Sequence, residues 1–371
     1  MSTRSPHYSL LFFSALLTTL PLSAGTGIEI QPLSDQNRAI LARSATPYTL
    51  PAVTRTDSRK AGIHREIPTR ALELARWVTG PDGKALWQLR IDSPGAAGVR
   101  LRVVRTFNRN GVLTIRSGST GVLAGSYSWP QPDALWTALV PGASIVLEFT
   151  PADGKATGGA PLGVPTLSEY WQAGHWSWDP RPPATCQLDV TCSADWADSA
   201  NSVAMLVSEM RDGPRICTGT LVTTSDNSKK PYLLTTASCI NSVEQAESTL
   251  SFWKFQTKSC KADPPLRQDS KMIEGATLLV TRDAAEGGYS LLELPELPEG
   301  ATFATWDPAA EPAKGAALTT IHHPQGNSKS IASGVRVDDQ GTEALPADKY
   351  YTIDLDKGRL EPGSYGAPLF S

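Results

Sequence analysis

The segment from Cys217 to Cys239 constrains the fold more than any other part of this sequence. It begins Cys217-Thr-Gly-Thr-Leu-Val and ends Pro231-Tyr-Leu-Leu-Thr-Thr-Ala-Ser-Cys239, and a turn rich in Ser, Asp, Asn and Lys separates the two apolar runs. Short apolar runs joined by such a turn are typical of a β-hairpin. Its strands would lie side by side, which brings the cysteines at their outer ends close enough to form a disulfide bond.

The N-terminus has the pattern of a secretory signal peptide over residues 1–25. Arg4 and His7 precede an apolar run from Leu10 to Leu22, and small residues follow at positions 23–25. A transmembrane anchor is the alternative, but the run is short and a proline interrupts it. We therefore expect an exported protein without a membrane anchor. The net charge of −3 gives no reason to expect nucleic acid as a partner.

The five cysteines are confined to the second half of the chain, at positions 186, 192, 217, 239 and 260. In an exported protein, cysteines are more often disulfide-bonded than metal-binding, and no Cys-x-x-Cys pair is present. We therefore expect disulfide bonds and no metal site. The odd count leaves one thiol without a partner within the chain, and the spacing alone does not decide which cysteines pair.

Alternating apolar residues dominate the first half of the chain. Four runs place every second residue on one face: Trp87, Leu89 and Ile91; Val99, Leu101 and Val103; Leu113 and Ile115; and Ile145, Leu147 and Phe149. A period of two, interrupted by Pro-Gly and Asn-Gly turns, is typical of antiparallel strands. Residues 26–180 are therefore predicted to hold an antiparallel β-sandwich. Residues 151–185 are rich in Gly and Pro and are predicted to link it to a second domain over 181–371.

The second half of the chain resembles the trypsin-like serine proteases, in particular the bacterial lysyl endopeptidases. Besides the hairpin, four segments carry this resemblance in the order of the family: Cys186-Gln-Leu-Asp-Val-Thr-Cys192, Gly288-Tyr-Ser-Leu-Leu-Glu-Leu294, Thr320-Ile-His-His-Pro-Gln-Gly326 and Glu361-Pro-Gly-Ser-Tyr-Gly-Ala-Pro-Leu-Phe370. The resemblance implies an all-β chain that ends in a trypsin-like double β-barrel.

The first half resembles the pro-region of lysyl endopeptidase precursors. Two segments carry this resemblance: Ser93-Pro-Gly-Ala-Ala-Gly-Val-Arg-Leu101 and Trp136-Thr-Ala-Leu-Val-Pro-Gly142. A sandwich unrelated to that pro-region is the alternative. The nearest lysine upstream of the second domain is Lys155, and Arg181 is followed by proline. We therefore do not expect the chain to cut itself at the domain boundary as a lysine-specific relative would.

The resemblance also implies how the cysteines pair and where the barrel closes. It implies the disulfides Cys217–Cys239 and Cys192–Cys260 and leaves Cys186 unpaired. In relatives, further strands follow the segment that ends here at Ser371 and complete the second barrel. We therefore expect an incomplete second barrel and a truncated C-terminus, with strand edges left unpaired.

All three catalytic positions that the resemblance implies carry substitutions. A serine protease triad needs a hydroxyl nucleophile, an imidazole base and a carboxylate that orients the imidazole. Ser238 stands where the family hairpin has histidine, and Gly288 stands where the later segment begins with aspartate. Tyr365 stands at the serine of Gly-x-Ser-Gly-x-Pro, and the implied oxyanion-hole amides are those of Gly363 and Tyr365.

Neighbouring residues do not restore the missing groups. Asp283 and Glu286 lie too far upstream to replace the aspartate, and Ser364 is one residue early for the nucleophile. His322 and His323 belong to the family's own His-His-Pro segment, where a structural role is the more common one. Loss of the serine or histidine alone costs a triad enzyme roughly a millionfold in turnover.

The sequence therefore predicts a secreted serine protease homologue without peptidase activity and without a cofactor, which retains at most the binding of a peptide or protein. One alternative is an active serine endopeptidase that uses Ser364 with His322 or His323. Another is a truncated, non-functional remnant whose main folded unit is the N-terminal β domain.

Overall fold

The computed structural model describes residues 33–53, 61–106, 109–129, 134–171, 186–226, 228–263, 265, 270–283, 288–307, 311–338 and 350–371. The predicted signal peptide and residues 172–185 of the predicted linker lie outside these ranges. Strands dominate the described residues, which confirms the all-β prediction.

Among the described residues, the N-terminal domain has one α-helix, α1 (Leu33–Ser44), a 3-10 helix at Thr69–Leu74 and eleven strands. The strands are β1 (Pro47–Thr49), β2 (Gly62–Glu66), β3 (Arg76–Thr79), β4 (Ala85–Asp92), β5 (Gly98–Arg105), β6 (Gly111–Ser117), β7 (Leu123–Trp129), β8 (Ala134–Trp136), β9 (Val140–Pro141), β10 (Ser144–Pro151) and β11 (Leu162–Tyr170). One sheet has the order β1-β4-β10-β6-β7, with β3 also on β4. The other has the order β2-β11-β5-β8, with β9 also on β5.

The two sheets share one apolar core, as a β-sandwich requires. Leu89 on β4 and Leu147 on β10 pair in register and lie in the same cluster as Leu101 on β5 and Leu167 on β11. All four runs of alternating apolar residues contribute to this core and are almost completely buried. The predicted sandwich is confirmed, except that β1 runs parallel to β4 and not antiparallel.

The prediction of a linker over 151–185 was wrong for residues 162–170. These residues form β11, which lies between β2 and β5 in the second sheet. Leu162, Val164 and Leu167 face the core, but a register shift between Gly163 and Thr166 breaks their spacing. Leu162 and Val164 are two residues apart, but the bulge makes the spacing from Val164 to Leu167 three residues. The sequence of this strand therefore shows no regular period of two.

The C-terminal domain contains the remaining described elements. Its helices are α2 (Ala197–Asn201) and α3 (Val243–Glu247), and its strands are β12 (Leu188–Asp189), β13 (Val203–Met210), β14 (Gly213–Leu221), β15 (Tyr232–Thr236), β16 (Leu250–Trp253), β17 (Lys271–Glu274), β18 (Thr277–Thr281), β19 (Tyr289–Glu293), β20 (Ala317–His322), β21 (Ser330–Arg336), β22 (Ile353–Lys357) and β23 (Leu369–Phe370).

These strands form two sheets, one for each unit expected of a trypsin-like fold. The larger sheet has seven strands in the order β17-β16-β13-β14-β15-β19-β18. The smaller has five, in the order β12-β21-β20-β23 with β22 also on β21. In the pairings that the structure describes, β23 is an edge strand of the smaller sheet. No helix among the described residues has the length and apolar character needed to cross a bilayer.

Candidate functional site

The predicted hairpin is present and its cysteines are bonded. Strands β14 and β15 pair antiparallel, with Leu221 opposite Leu233. The disulfides Cys217–Cys239 and Cys192–Cys260 both form, as the resemblance implied, and Cys186 is an exposed free thiol.

Thr218, the residue after Cys217, connects the hairpin to the loop that carries the predicted nucleophile position. Its amide donates to the carbonyl oxygen of Tyr365 over 2.8 Å. Its hydroxyl donates to the carbonyl oxygen of Gly363 over 2.9 Å. Its own carbonyl oxygen accepts from the Thr235 hydroxyl over 2.8 Å. Thr218 is fully buried, so these bonds hold the loop against the interior end of the hairpin.

Gly288 lies against the other side of the same hairpin. Its carbonyl oxygen accepts from the Thr236 hydroxyl over 2.7 Å and from the Ala237 amide over 2.8 Å. The carbonyl oxygen of Tyr365 lies 3.8 Å from Sγ of Cys239. The structure therefore brings Ser238, Gly288 and Tyr365 to one place, around residues 236–239 of the hairpin.

The described side chains at these three positions are a hydroxyl, a glycine and a phenol, and none of them is an imidazole or a carboxylate. Ser238 is exposed, and its hydroxyl lies 3.4 Å from the Thr236 hydroxyl, its one described side-chain neighbour. Gly288 offers no carboxylate, and the amide of Gly288 donates to the backbone of exposed Asp283 over 2.6 Å. Tyr365 is 57% exposed. A hydroxyl has no suitable basicity near neutral pH, so no group at the base position could take a proton from the Tyr365 phenol.

A serine and a histidine are in contact close to these positions, on the buried side of the loop that carries Tyr365. Nδ1 of His322 lies 2.8 Å from Oγ of Ser364, and both residues are buried. Burial lowers the pKa of His322 to about 4, so its imidazole is neutral at pH 7. Its Nε2 is buried without a described hydrogen-bond partner. Among the described residues, no carboxylate is hydrogen-bonded to this imidazole to orient it, unlike the base of a triad.

His323 serves the fold in a different way. Its Nδ1 donates to the carbonyl oxygen of Asn327 over 3.0 Å, and its ring stacks on Phe255 with centroids 6.0 Å apart. Its amide donates to the Thr218 hydroxyl over 3.2 Å. Of the two histidines that the sequence offered as bases, only His322 has a described contact with Ser364.

The backbone at the predicted oxyanion hole is held in a conformation that requires glycine. Gly363 has a φ of +102°, and a Cβ there would lie 2.6 Å from the carbonyl oxygen of His323. The amide of Ser364 donates to the carbonyl oxygen of Glu361 over 3.0 Å. The amides of Gly363 and Tyr365, on either side of it, take part in no hydrogen bond among the described residues. Both donors are therefore without a described acceptor; Tyr365 is exposed, whereas Gly363 is buried.

Sequence reasoning missed two residues that organise this half of the chain, Thr218 and Glu209. Thr218 carries no signal of its own beyond its position after Cys217. Glu209 did carry one, since it is an acid in the mostly apolar strand β13, and an acid in such a strand is buried with partners. Among the described residues, no group of three or more His, Cys, Asp or Glu could hold a metal ion.

Comparison with known proteins connects this geometry to a family. The model of the lysyl endopeptidase C-terminal domain matches residues 183–371. The lysyl endopeptidase of Pseudomonas aeruginosa is 25% identical over 333 residues, which cover 84% of this chain and 70% of the relative.

Solved structures of serine proteases are similar at lower identity. A scabies mite inactivated protease paralogue is 15% identical, with a TM-score of 0.36 over 47% of this chain and 80% of that chain. A thermostable serine protease from an extremophilic microorganism is 12% identical, with a TM-score of 0.34 over 47% and 79%. The assignment rests on the family model, which spans half of the sequence: this chain belongs to the lysyl endopeptidase family.

Proposed function

We propose that this protein is an exported lysyl endopeptidase homologue that does not hydrolyse peptide bonds and instead binds a peptide or protein. The observation that carries the proposal is the hairpin end at Ser238. An exposed hydroxyl stands there, beside the carbonyl oxygen of Gly288 and the backbone of Tyr365, and no imidazole or carboxylate of the described residues is hydrogen-bonded to it.

The size of the expected loss of turnover favours an inactive protein. Removing the base or the nucleophile of a triad lowers turnover roughly a millionfold. Oxyanion-hole donors and substrate binding alone retain about 10³–10⁴ over the reaction in water. Here both the base and the nucleophile position are substituted, and the residue at the nucleophile position, Tyr365, is 57% exposed and has no base beside it among the described residues.

Export is supported by two features of the chain. Residues 1–25 have the pattern of a signal peptide, and two disulfide bonds form in the C-terminal domain. Disulfides persist in oxidising compartments and are rare in reducing ones.

Binding is supported by two backbone donors without a described acceptor and by exposed aromatic side chains. The amides of Gly363 and Tyr365 have no described acceptor, and a carbonyl or carboxylate of a peptide would supply one. The side chains of Tyr289 and Tyr365 are 39% and 57% exposed, and exposed tyrosines give contact area with little loss of side-chain entropy.

An activity test and a binding test decide the proposal. The purified full chain is incubated with a mixed peptide library and with a serine-reactive phosphonate, and an active lysyl endopeptidase serves as positive control. We expect no cleavage and no label by mass spectrometry. The same library is then screened for binding, where Tyr365→Ala should weaken any peptide found. The control is Tyr351→Ala, another tyrosine with 43% exposure, which packs on Arg336. Cleavage by the wild-type chain would overturn the proposal.

A second candidate, an active serine endopeptidase, is favoured by one contact. Ser364 and His322 share a 2.8 Å hydrogen bond, which is the distance between a nucleophile and its base. In such an enzyme Ser364 would attack the peptide carbonyl and His322 would take its proton. Against it, Ser364 is only 8% exposed, whereas a nucleophile must reach its substrate. If the wild-type chain cleaves the library, Ser364→Ala should abolish cleavage and Tyr365→Phe should not.

A further inference from the structure

The buried carboxylate of Glu209 joins the two domains. Glu209 lies on β13 of the C-terminal domain, and its side chain is 1% exposed. Three side chains of the N-terminal domain donate to it: Nε2 of His64 at 2.9 Å, the Ser168 hydroxyl at 2.9 Å, and the phenol of Tyr170. Burial and the Glu209 charge raise the pKa of Tyr170 well above its usual value, which keeps this phenol protonated as a donor.

Arg100 supplies the opposite charge from the N-terminal domain. Its side chain is 2% exposed, and its guanidinium lies 3.8 Å from the carboxylate of Glu209. It also donates to the carbonyl oxygen of Ser248 in the C-terminal domain over 2.8 Å. The Trp136 ring stacks on His64 at 5.1 Å and also faces Arg100 at 5.7 Å. The N-terminal domain therefore supplies the donors and the positive charge that the buried Glu209 carboxylate needs. The C-terminal domain supplies acceptors for the buried Arg100 guanidinium.

Apolar contacts surround this polar network. Residues of both domains form one buried cluster: Leu139 and Tyr170 from the N-terminal domain with Met205, Val207, Leu250, Phe252 and Phe255 from the C-terminal domain. Burial of a shared apolar cluster is typical of interfaces that do not open in normal function.

The backbones of the two domains also touch. A Cβ on Gly213, which precedes Pro214 at the start of β14, would lie 2.9 Å from the carbonyl oxygen of Gly62. A Cβ on Gly62 would lie 2.9 Å from Cγ of Pro214. Such a close approach leaves no room for water between β2 and β14 at this point.

Lys155, the lysine nearest upstream of the C-terminal domain, does not offer a route to release. Lys155 lies between β10 and β11, inside the N-terminal domain. A cut there would leave β11 attached to the C-terminal fragment while it stays paired with β2 and β5 of the other fragment.

From these contacts we infer that the N-terminal domain is a permanent structural partner of the C-terminal domain and stays bound after the segment between them is cut. Although its sequence resembles a pro-region, it is not shed. Separation would expose the apolar cluster, remove the Glu209 charge from Arg100 and Tyr170, and leave the Glu209 carboxylate without its three donors. No described hydrogen bond, ion pair or ring contact joins the N-terminal domain to Ser238, Gly288 or Tyr365, and the role assigned to this domain is that of a scaffold.

The test cuts the folded full chain between the domains. A recognition sequence for a site-specific protease is placed within residues 172–185, the purified protein is cut, and the fragments are analysed by size-exclusion chromatography without denaturant. We expect both fragments to elute together at the volume of the uncut chain. Elution as two separate species at micromolar concentration would overturn the inference.

Variants of the cut protein test which contacts hold the domains. Glu209→Gln should raise the dissociation constant between the fragments by about 100-fold, because it removes a buried charge from partners that stay buried. Tyr170→Phe, which deletes only one hydroxyl, gives a milder test if Glu209→Gln fails to fold. The control is Glu244→Gln, whose ion pair with Arg102 also joins the domains but is 60% exposed on the glutamate side. Glu244→Gln should change the dissociation constant between the fragments less than about fivefold. Equal effects of Glu209→Gln and Glu244→Gln would contradict the assigned role of Glu209.

Discussion

Nδ1 of His322 lies 2.8 Å from Oγ of Ser364, inside the domain, while the next residue along the loop, Tyr365, is 57% exposed. The loop therefore points its serine inward and its phenol outward. The Ser364 hydroxyl has an imidazole beside it, but solvent barely reaches this serine. A structural function for this pair explains both its burial and the low basicity of the imidazole.

The His322 imidazole should make the folded state sensitive to acid. Its pKa is about 4 in the folded protein, against about 6.5 for an unperturbed histidine. Between these values the unfolded chain binds a proton that the folded one does not, so stability falls as the pH drops from 6.5 to 4. The loss due to this residue should approach about 3 kcal/mol.

Urea denaturation at several pH values from 7 to 4 measures this effect. His322→Asn keeps a hydrogen-bonding partner for Ser364 but does not titrate, so the stability difference between wild type and variant should shrink as the pH falls. A difference that stays constant over this range would show that His322 is not the acid-sensitive group.

Gly366 should tolerate no side chain. Its φ is +83°, and a Cβ would lie 2.3 Å from Oγ1 of Thr235 and 2.4 Å from the carbonyl oxygen of Thr218. Gly366→Ala combines backbone strain with a clash against buried hairpin atoms, and we expect a loss of about 3 kcal/mol. Gly315 has a similar φ of +81° but no atom within 4 Å of its Cβ position. Gly315→Ala therefore isolates the strain and should cost about 1–2 kcal/mol. Equal thermal shifts for both would contradict the packing argument.

The strands of the sandwich could be predicted because their local pattern matches their environment. Trp87, Leu89 and Ile91 alternate in sequence and all face the core. Strand β11 could not be predicted in this way, because its bulge at Gly163 removes the period of two. Its pairing with β5 also depends on residues about sixty positions away, which no local window contains.

The candidate site could be predicted in position but not in environment. The resemblance placed Ser238, Gly288 and Tyr365 together, and they do lie around one hairpin end. The burial of Ser364 follows from the bonds that Thr218 makes across 145 residues to Gly363. Glu209 and His64 are likewise separated by 145 residues. Contacts of this range depend on the docking of whole elements, which sequence patterns do not encode.

The two disulfides should stabilise the C-terminal domain to different degrees. The bonded pairs Cys217–Cys239 and Cys192–Cys260 are 22 and 68 residues apart. By loop closure, their removal should cost about 3 and about 4 kcal/mol respectively. Double Ser or Ala variants of each pair, followed by thermal denaturation, measure the two losses. Cys186→Ser is the control, since this exposed thiol is unbonded and its loss should leave the melting temperature unchanged. A large effect of Cys186→Ser would indicate that this cysteine pairs in solution.

Lys329 should make the folded state more stable in mild alkali. It is 1% exposed, and burial, together with the nearby charge of Lys254, lowers its pKa to about 7. Its amino group donates to the carbonyl oxygen of Ala200 and to Oε1 of Gln256. Between pH 7 and about 10.4 the unfolded chain holds a proton that the folded chain has released, so stability rises with pH across this window.

Comparison with Lys329→Met isolates this contribution, because the other titrating groups are common to both proteins. At pH 7 and below, methionine removes the cost of burying a charge and should stabilise the protein relative to lysine. From pH 7 to pH 10 this advantage should shrink by about 4 kcal/mol, and the lost bond to Ala200 then makes the variant the less stable protein. Urea denaturation at pH 7, 8, 9 and 10 measures the trend. Lys314→Met, at a lysine side chain that is 67% exposed, should show no such dependence. A pH-independent difference between wild type and Lys329→Met would mean that the buried amine keeps the pKa of a free lysine.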